Sequence, residues 1–281
     1  MEKLTTNILA QVISPRPKDS HKGTFGRVLV IGGSLNFGGA IIMSSQASIY
    51  AGAGLVSCAT HRANLSALHA RVPEAMFLDY HDLTALTNAL KNSEVIVLGP
   101  GLDLDDFGLK LIYLVFKNSC PTAKLIIDGS AITLLSQHPE LFNLRQNQRI
   151  IFTPHQMEWQ RLSGIEIPAQ TPTLNIQAQA KLRATIILKK AQTEIYHQTG
   201  EIHQLDVGGP YMATGGMGDT LTGILAAFLA QFKEADFEAV IDAATYLHSY
   251  AAQKLSTNYY VTPPSLLCPI LPQIMQDFSQ R

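Results

Sequence analysis

The sequence predicts an α/β fold, with a mostly parallel central sheet and helices on both faces in three layers. Apolar, largely β-branched runs recur at residues 28–31, 55–59, 95–98, 125–127, 150–152 and 185–188, which is how strands buried on both faces read. Between them lie segments whose apolar residues return at helical spacing, and strict strand–helix alternation calls for parallel strands. The apolar share is 46% and the charged share 15%, a balance that suits extensive burial.

In order, residues 1–24 are polar, contain Pro15 and Pro17, and form a short helix or arm leading into the fold. Strand 28–31 ends at Gly32-Gly33-Ser34, and small and apolar residues from 39 to 50 make the first long helix. After strand 55–59 come a short helix at 63–70, a strand at 75–78 and a helix at 83–90. Strand 95–98 stops at Gly99-Pro100-Gly101 and is followed by a helix over 106–116; strand 125–127 leads to Asp128, and strand 150–152 to Thr153-Pro154-His155. A helix follows His155, another occupies 178–183, and strand 185–188 ends at Lys189-Lys190. Segments 194–197 and 201–204, joined through Thr199-Gly200, make an antiparallel hairpin. Two further helices are expected, one from near Met217 and one over 237–255, before a proline-interrupted tail. With no internal repeat and no linker, residues 1–281 are expected to form one domain.

A net charge of −1 leaves no electrostatic footprint for nucleic acid or an anionic membrane. An anionic substrate must then be held by local donors. The three cysteines, Cys58, Cys120 and Cys268, are scattered, as free thiols in a reducing, cytoplasmic setting are. Neither a signal peptide nor an apolar run of bilayer length is expected. Asn64-Leu65-Ser66 matches a glycosylation sequon, a chance match in a cytosolic chain.

The chemistry concentrates in the stretch from Gly208 to Gly223. Leu221, Ile224, Leu225, Phe228 and Leu229 mark a buried helix beginning near Met217, preceded by Gly215-Gly216 and followed by Gly218-Asp219. Glycines before a helix let amides converge, and the unpaired N–H groups of a first turn attract an anion. Asp219 in that turn serves either as a carboxylate that steadies the helix or as a base beside a bound phosphate.

The strand ends Gly32-Gly33, Gly99-Pro100-Gly101, Asp128-Gly129, Thr153-Pro154-His155 and Lys189-Lys190 should share one rim, where ligands bind in parallel sheets. The glycines at 32–39 lack the Lys-Ser/Thr ending of a Walker A loop. His155 reads equally as a helix cap or a rim ligand, Asp128 as the cap of the Gly129 turn, and Lys189-Lys190 as a solvated pair. His248 reads as a core or interface histidine. No histidine or cysteine spacing suits a metal, so none is expected as a structural centre.

Lys22-Gly23, residues 26–34, Gly38-Gly39-Ala40, Leu98-Gly99-Pro100-Gly101-Leu102, Thr153-Pro154-His155-Gln156-Met157-Glu158 and residues 212–223 occur in one order. In these motifs, over nearly its whole length, the chain resembles the ADP- or ATP-dependent NAD(P)H-hydrate dehydratases, which have a ribokinase-like fold. The resemblance implies repair of damaged cofactor. A phosphoryl group passes to the C6 hydroxyl of the S-epimer of hydrated NADH or NADPH, and phosphate is expelled to regenerate NAD(P)H. Ala40, Gly101, His155 and Asp219 match the family's substrate contacts; Lys189, Lys190, Ala191, Gln192, Thr193 and Gly218 match its adenine-nucleotide contacts. Asp219 is then the base, and donors from Gly215, Gly216, Met217 and Gly218 steady the transferring group. A helix start favours an ionised carboxylate, so Asp219 is expected to be a weak base, charged at neutral pH.

The resemblance also implies ADP or ATP with Mg2+, a homo-oligomer (a tetramer), and a separate epimerase as functional partner, leaving the R-epimer untouched by this chain. Lys190 stands where the family has Gly, Met217 where it has Thr, and Ser130 where a second carboxylate is common. The alternative is a kinase of the same fold acting on a vitamin precursor or sugar hydroxyl, since both need the anion corner and the aspartate. A nucleotide-binding regulator without turnover is disfavoured by Asp219.

Overall fold

The computed structural model describes residues 1–144 and 148–280. Among the described residues, ten strands form one sheet in the order β1-β10-β9-β8-β7-β6-β5-β2-β3-β4. They are β1 (Glu2–Leu4), β2 (Arg27–Ile31), β3 (Leu55–Thr60), β4 (Met76–Asp79), β5 (Val95–Leu98), β6 (Lys124–Ile127), β7 (Arg149–Phe152), β8 (Thr185–Leu188), β9 (Glu194–Tyr196) and β10 (Ile202–Leu205). β9 pairs antiparallel with both β8 and β10, and every other pairing is parallel.

Because side chains alternate along a strand, each central strand feeds two cores. Val28, Val30, Val95, Val97, Ile126 and Ile151 face one layer; Leu29, Ile31, Ile96, Leu98, Ile127 and Phe152 face the other. The first layer includes α1 (Asn7–Val12), α2 (Gly38–Tyr50), α3 (Leu65–Arg71), α9 (Met217–Gln231), α10 (Phe237–Ser256) and α11 (Pro264–Ser279). The second includes α4 (Leu83–Asn92), α5 (Asp106–Asn118), α6 (Ser130–Gln137), α7 (Gln156–Ser163) and α8 (Pro172–Leu182). This is the α/β three-layer arrangement that the strand–helix alternation predicts.

Four elements differ from the sequence expectation. The proline-interrupted tail is the helix α11, with Pro269 and Pro272 inside it. Pro264 occupies its first turn, where a missing N–H costs nothing, and Leu267, Leu271, Ile274 and Phe278 are buried on one face. That burial outweighs the two lost helix bonds. α8 begins at Pro172, six residues before the expected start, because the Thr171 hydroxyl accepts from the Leu174 N–H at its N-terminus. α6 follows Gly129 without having been anticipated, and the N-terminal arm opens with a strand that pairs with β10.

α9 is the central helix of its layer, buried from Thr220 to Ala230. It approaches α2 so closely that a Cβ on Gly223 would lie 2.2 Å from the Ser44 carbonyl oxygen and 2.7 Å from the Ala47 Cβ. Gly223→Val is therefore expected to destabilise the fold by at least about 1–3 kcal/mol through overpacking. A urea midpoint unchanged from the wild type would contradict this packing.

Candidate active site

β8, β7, β6, β5 and β2 are adjacent and run the same way, so their five carboxyl ends lie along one rim. Backbone contacts tie these ends together. The Gly33 N–H donates to the Pro100 carbonyl at 2.8 Å, Ser34 to Gly101 at 2.7 Å, and Lys189 to Pro154 at 2.8 Å. Asn64 is buried, with Nδ2 donating to the Gly33 and Ser34 carbonyls and to Thr60 Oγ1, at 2.9, 3.2 and 2.9 Å. The sequon asparagine is thus a strut under the loop that leads to α2. A Cβ on Gly101 would stand 3.1 Å from the Ala40 Cβ, so those two expected substrate positions adjoin.

α9 starts on the same rim. Gly216 precedes it at φ 89, in the left-handed region, and no side chain caps the helix. Its first N–H groups therefore keep their capacity to bind an anion. Gly218 lies beside Lys189: a Cβ there would be 3.0 Å from Nζ and 3.7 Å from Asp128 Oδ2. Lys189 Nζ donates to Asp128 Oδ1 at 2.7 Å, and the Thr153 hydroxyl donates to the same oxygen at 2.7 Å. Asp128 is no turn cap, and Lys189 is no solvated surface charge.

Two further carboxylates, Asp219 and Glu158, act electrostatically on this pair. Burial pushes Asp219 up to about 7, Asp128 and Glu158 add to the rise, and Lys189 opposes it. The expectation of a weak, fully ionised base is thereby corrected. A helix N-terminus is worth about 0.3–1 kcal/mol, less than one pKa unit of about 1.4 kcal/mol. Desolvation beside two like charges is the larger effect, and it makes Asp219 a stronger base. Burial also raises Glu158, against Lys189. Burial works against the Lys189 charge too, but Asp128 and Glu158 outweigh it and hold its pKa high.

His155 caps α7. Its Nδ1 accepts from the Met157 and Glu158 N–H groups, each at 3.2 Å, while Glu158 Oε2 accepts from the His155 N–H at 2.8 Å. Nε2, 3.5 Å from Glu158 Oε1, is the ring nitrogen left for a ligand, and the half-exposed ring stays on the rim beside Lys189.

Next to the α9 start opens a cavity of about 560 Å3 lined by Lys189, Lys190, Ala191, Thr193, Met217 and Gly218 among others. Gln192 lies on the same loop but is exposed and outside the lining. Gly215 and Gly216 adjoin the turn rather than this wall. The Lys190 ammonium turns back onto Glu194 Oε1. Glu194 also accepts from the Tyr196 hydroxyl, which accepts from Asn175, which in turn accepts from Trp159 Nε1 at 2.8 Å. That buried chain fixes the loop after β8. A second cavity, about 580 Å3 under the N-terminal arm, has Arg16 as its one charged lining side chain among the described residues and lies apart from these carboxylates.

A family model described as NAD(P)H-hydrate dehydratase matches residues 28–273. The chain belongs to the NAD(P)H-hydrate dehydratase family. A relative from Lactiplantibacillus plantarum, named ADP-dependent (S)-NAD(P)H-hydrate dehydratase, is 46% identical over 281 residues, covering 100% of this chain and 99% of its own. One of the same name from Enterococcus faecalis is 47% identical, covering 100% and 94%. Among solved structures, a ribokinase-like superfamily protein from Enterococcus faecalis superposes with a TM-score of 0.94 at 46% identity, over 100% of this chain and 97% of that one. The Bacillus subtilis ADP/ATP-dependent NAD(P)H-hydrate dehydratase co-crystallised with ATP/Mg2+ has a TM-score of 0.86 at 23% identity, over 99% and 98%, and shares the fold.

Within this member of the NAD(P)H-hydrate dehydratase family, two of the three departures noted in the sequence have local explanations. Lys190 is neutralised by Glu194, and Ser130 donates its hydroxyl to the Leu102 carbonyl at 2.6 Å, tying α6 to the Gly99–Leu102 loop. Sequence reasoning missed Glu158 and Thr153 as partners of the Lys189–Asp128 pair, although both flank His155 in a quoted motif. It also missed a trio of metal-competent side chains, His197, His203 and Asp242. Asp242 accepts from His197 Nε2 at 2.9 Å and His203 Nδ1 at 2.7 Å, shorter than the edge of about 3.3 Å that zinc bonds of about 2.0–2.1 Å imply. The trio is a hydrogen-bonded clamp holding the β9–β10 hairpin to α10. Among the described residues, no helix is long and apolar enough to cross a membrane.

Proposed function

We propose that the protein dehydrates the S-epimer of NAD(P)H hydrate to NAD(P)H, driven by ADP. The observation that carries this reading is Asp219, a partly buried carboxyl raised to about 7 in the uncapped first turn of α9, within electrostatic reach of Lys189. Relatives of 46–47% identity named ADP-dependent (S)-NAD(P)H-hydrate dehydratases support the choice of reaction and nucleotide. Hydroxide is a poor leaving group and phosphate a good one. The Asp219 carboxylate takes the C6 hydroxyl proton as the oxygen attacks the terminal phosphorus and the bond to AMP breaks. The C6–O bond then breaks with its electron pair leaving on phosphate, and the C5 proton passes to solvent as its bonding pair forms the C5=C6 double bond.

Substrate lies between Ala40, Gly101, His155 and Asp219 in this reading. Nucleotide fills the cavity along Lys189, Lys190, Ala191, Thr193 and Gly218, with N–H groups of 215–218 on the transferring group. Asp128 and Glu158 are hard oxygen donors near Lys189, of the type that suits Mg2+; when bound it would neutralise phosphate charge. The reading extends to one domain over 1–281, a cytoplasmic homo-oligomer, tetrameric by resemblance, and a separate epimerase for the R-epimer.

Purified protein with hydrated NADH and ADP should restore the absorbance of the reduced nicotinamide. A stable phosphorylated product without that recovery would indicate a kinase and overturn the proposal. Since Asp219 must be ionised, kcat/KM should rise with pH through about 7. A profile flat from pH 5.5 to about 8.5 would count against Asp219 as the base.

A further inference from the structure

We infer that Ser44 of α2 and Thr222 of α9 are positioning residues for the dehydration. Their hydroxyls form a buried pair that holds the backbone of Asp219 in register with the helix carrying Ala40. The inference rests on the reading of Asp219 as the base. It adds two residues that act only through the placement of that carboxylate.

The Thr222 hydroxyl donates to the Asp219 carbonyl at 2.7 Å. Its oxygen also lies 2.9 Å from Ser44 Oγ. A hydroxyl has one proton. That of Thr222 is spent on Asp219, so Ser44 is the donor between the two side chains. Both residues are fully buried, so neither reaches a ligand directly. Their surroundings are apolar: Ile41 and Ala47 of α2 and Leu221, Ile224 and Leu225 of α9 belong to one core.

Packing alone does not ask for such a pair. A hydroxyl taken out of water adds little net stability even when bonded, but its bond is directional. The rest of this contact is not. α2 and α9 run alongside each other in the same direction, with Met43 against Gly216 and Ala47 against Gly223. A Cβ on those glycines would lie 2.3 Å from Met43 Sδ and 2.7 Å from the Ala47 Cβ. A contact of small and flexible side chains leaves the axial register of two helices loosely fixed, and the Ser44–Thr222 bond sets it. Ala40 stands one turn before Ser44 on the same face of α2, and Asp219 stands three residues before Thr222. At about 1.5 Å of rise per residue, both lie about 4–6 Å along their helices from the pair, on the same side of it. The pair therefore sets how far the base stands from the substrate placed by Ala40. Catalysis is steep in that distance, since a misplacement of about 1 Å can cost about 10²-fold.

The test follows the single-turnover rate of the full chain with saturating hydrated NADH and ADP. The rate is expressed per ADP-binding site titrated by calorimetry, so that unfolded protein does not count. Thr222→Val keeps the branched shape and removes both bonds; the rate should fall about 10- to 10²-fold while ADP affinity stays that of the wild type. Thr222→Ser keeps the hydroxyl and gives up only the stiffness of a β-branched side chain, so it should recover the rate to within about 3-fold. Ser44→Ala removes one end of the pair and should cost about 3- to 10-fold. Combined with Thr222→Val it should cost no more than Thr222→Val alone, because a unit already broken has nothing further to lose. A Thr222→Val rate equal to that of the wild type, a loss that Thr222→Ser does not recover, or losses that multiply in the double variant overturns the inference. So does a loss of rate matched by a loss of ADP affinity, which would make the pair a support of the whole site. Should Thr222→Val not fold, Ser44→Ala decides, and a wild-type rate per site refutes the pair. A wild type that restores no reduced nicotinamide, or an Asp219→Asn variant as fast as the wild type, removes the reading of the base itself.

Discussion

Asp219→Asn is expected to reduce turnover of hydrated NADH by about 10²- to 10⁴-fold, the usual contribution of a positioned general base. The substitution keeps the size and helical position of the side chain and removes the proton acceptor. It also removes a partly desolvated negative charge that Asp128 and Glu158 oppose, so the variant should fold. Its stability should exceed that of the wild type at high pH. The sign follows from the raised carboxyl. An acid whose folded pKa lies above its unfolded value favours the native state most below the unfolded value, about 3.9, and this is lost as pH rises through about 7. An amide has no such dependence. Single-turnover kinetics with ADP, read beside urea midpoints at pH 6 and about 8.5, check both halves. Turnover within a few-fold of the wild type would refute the role given to Asp219.

Lys189→Met should be damaging in a different way. The ammonium is the ion-pair partner of Asp128, whose side chain is 5% exposed, and its charge restrains the rise of Asp219 and Glu158. Removing one partner of such a pair leaves an uncompensated buried charge, at a cost of about 3–5 kcal/mol. The loss should ease as pH falls, because without Lys189 the neighbouring carboxyls protonate at higher pH and shed the repulsion. ADP affinity should fall together with stability, since the cation also borders the cavity beside Gly218. Denaturant melts across pH 5 to about 8 with parallel ADP titrations measure this. A variant as stable as the wild type at pH 8 would mean that Asp128 does not depend on Lys189.

These two residues illustrate how differently the site can be read from sequence. Asp219 announces itself through glycines on either side and the helical spacing of Leu221, Ile224, Leu225 and Phe228, all local features. Lys189 followed by a second lysine reads as solvated charge. It becomes part of a charge cluster because β6 and β8 flank β7, a pairing of strands some sixty residues apart. Glu158 is similar: its spacing from His155 suggests a cap, and the cap exists, but its desolvation depends on Asp128 and Lys189 across the rim. His248 follows Leu247 in a helix buried through most of its length, and nothing in its own segment says that a cavity reaches it.

The amino-acid sequence by itself determined the α/β class, the order of most elements and the positions where strands end in glycine or polar residues. Those depend on apolar period and turn chemistry within a few residues. Only the tertiary structure decided that α11 is a helix, that Asn64 braces the Gly33 loop and that desolvation raises the Asp219 carboxyl to about 7. Burial and the sum of charges around a group arise only when distant segments meet, and no window of sequence contains them.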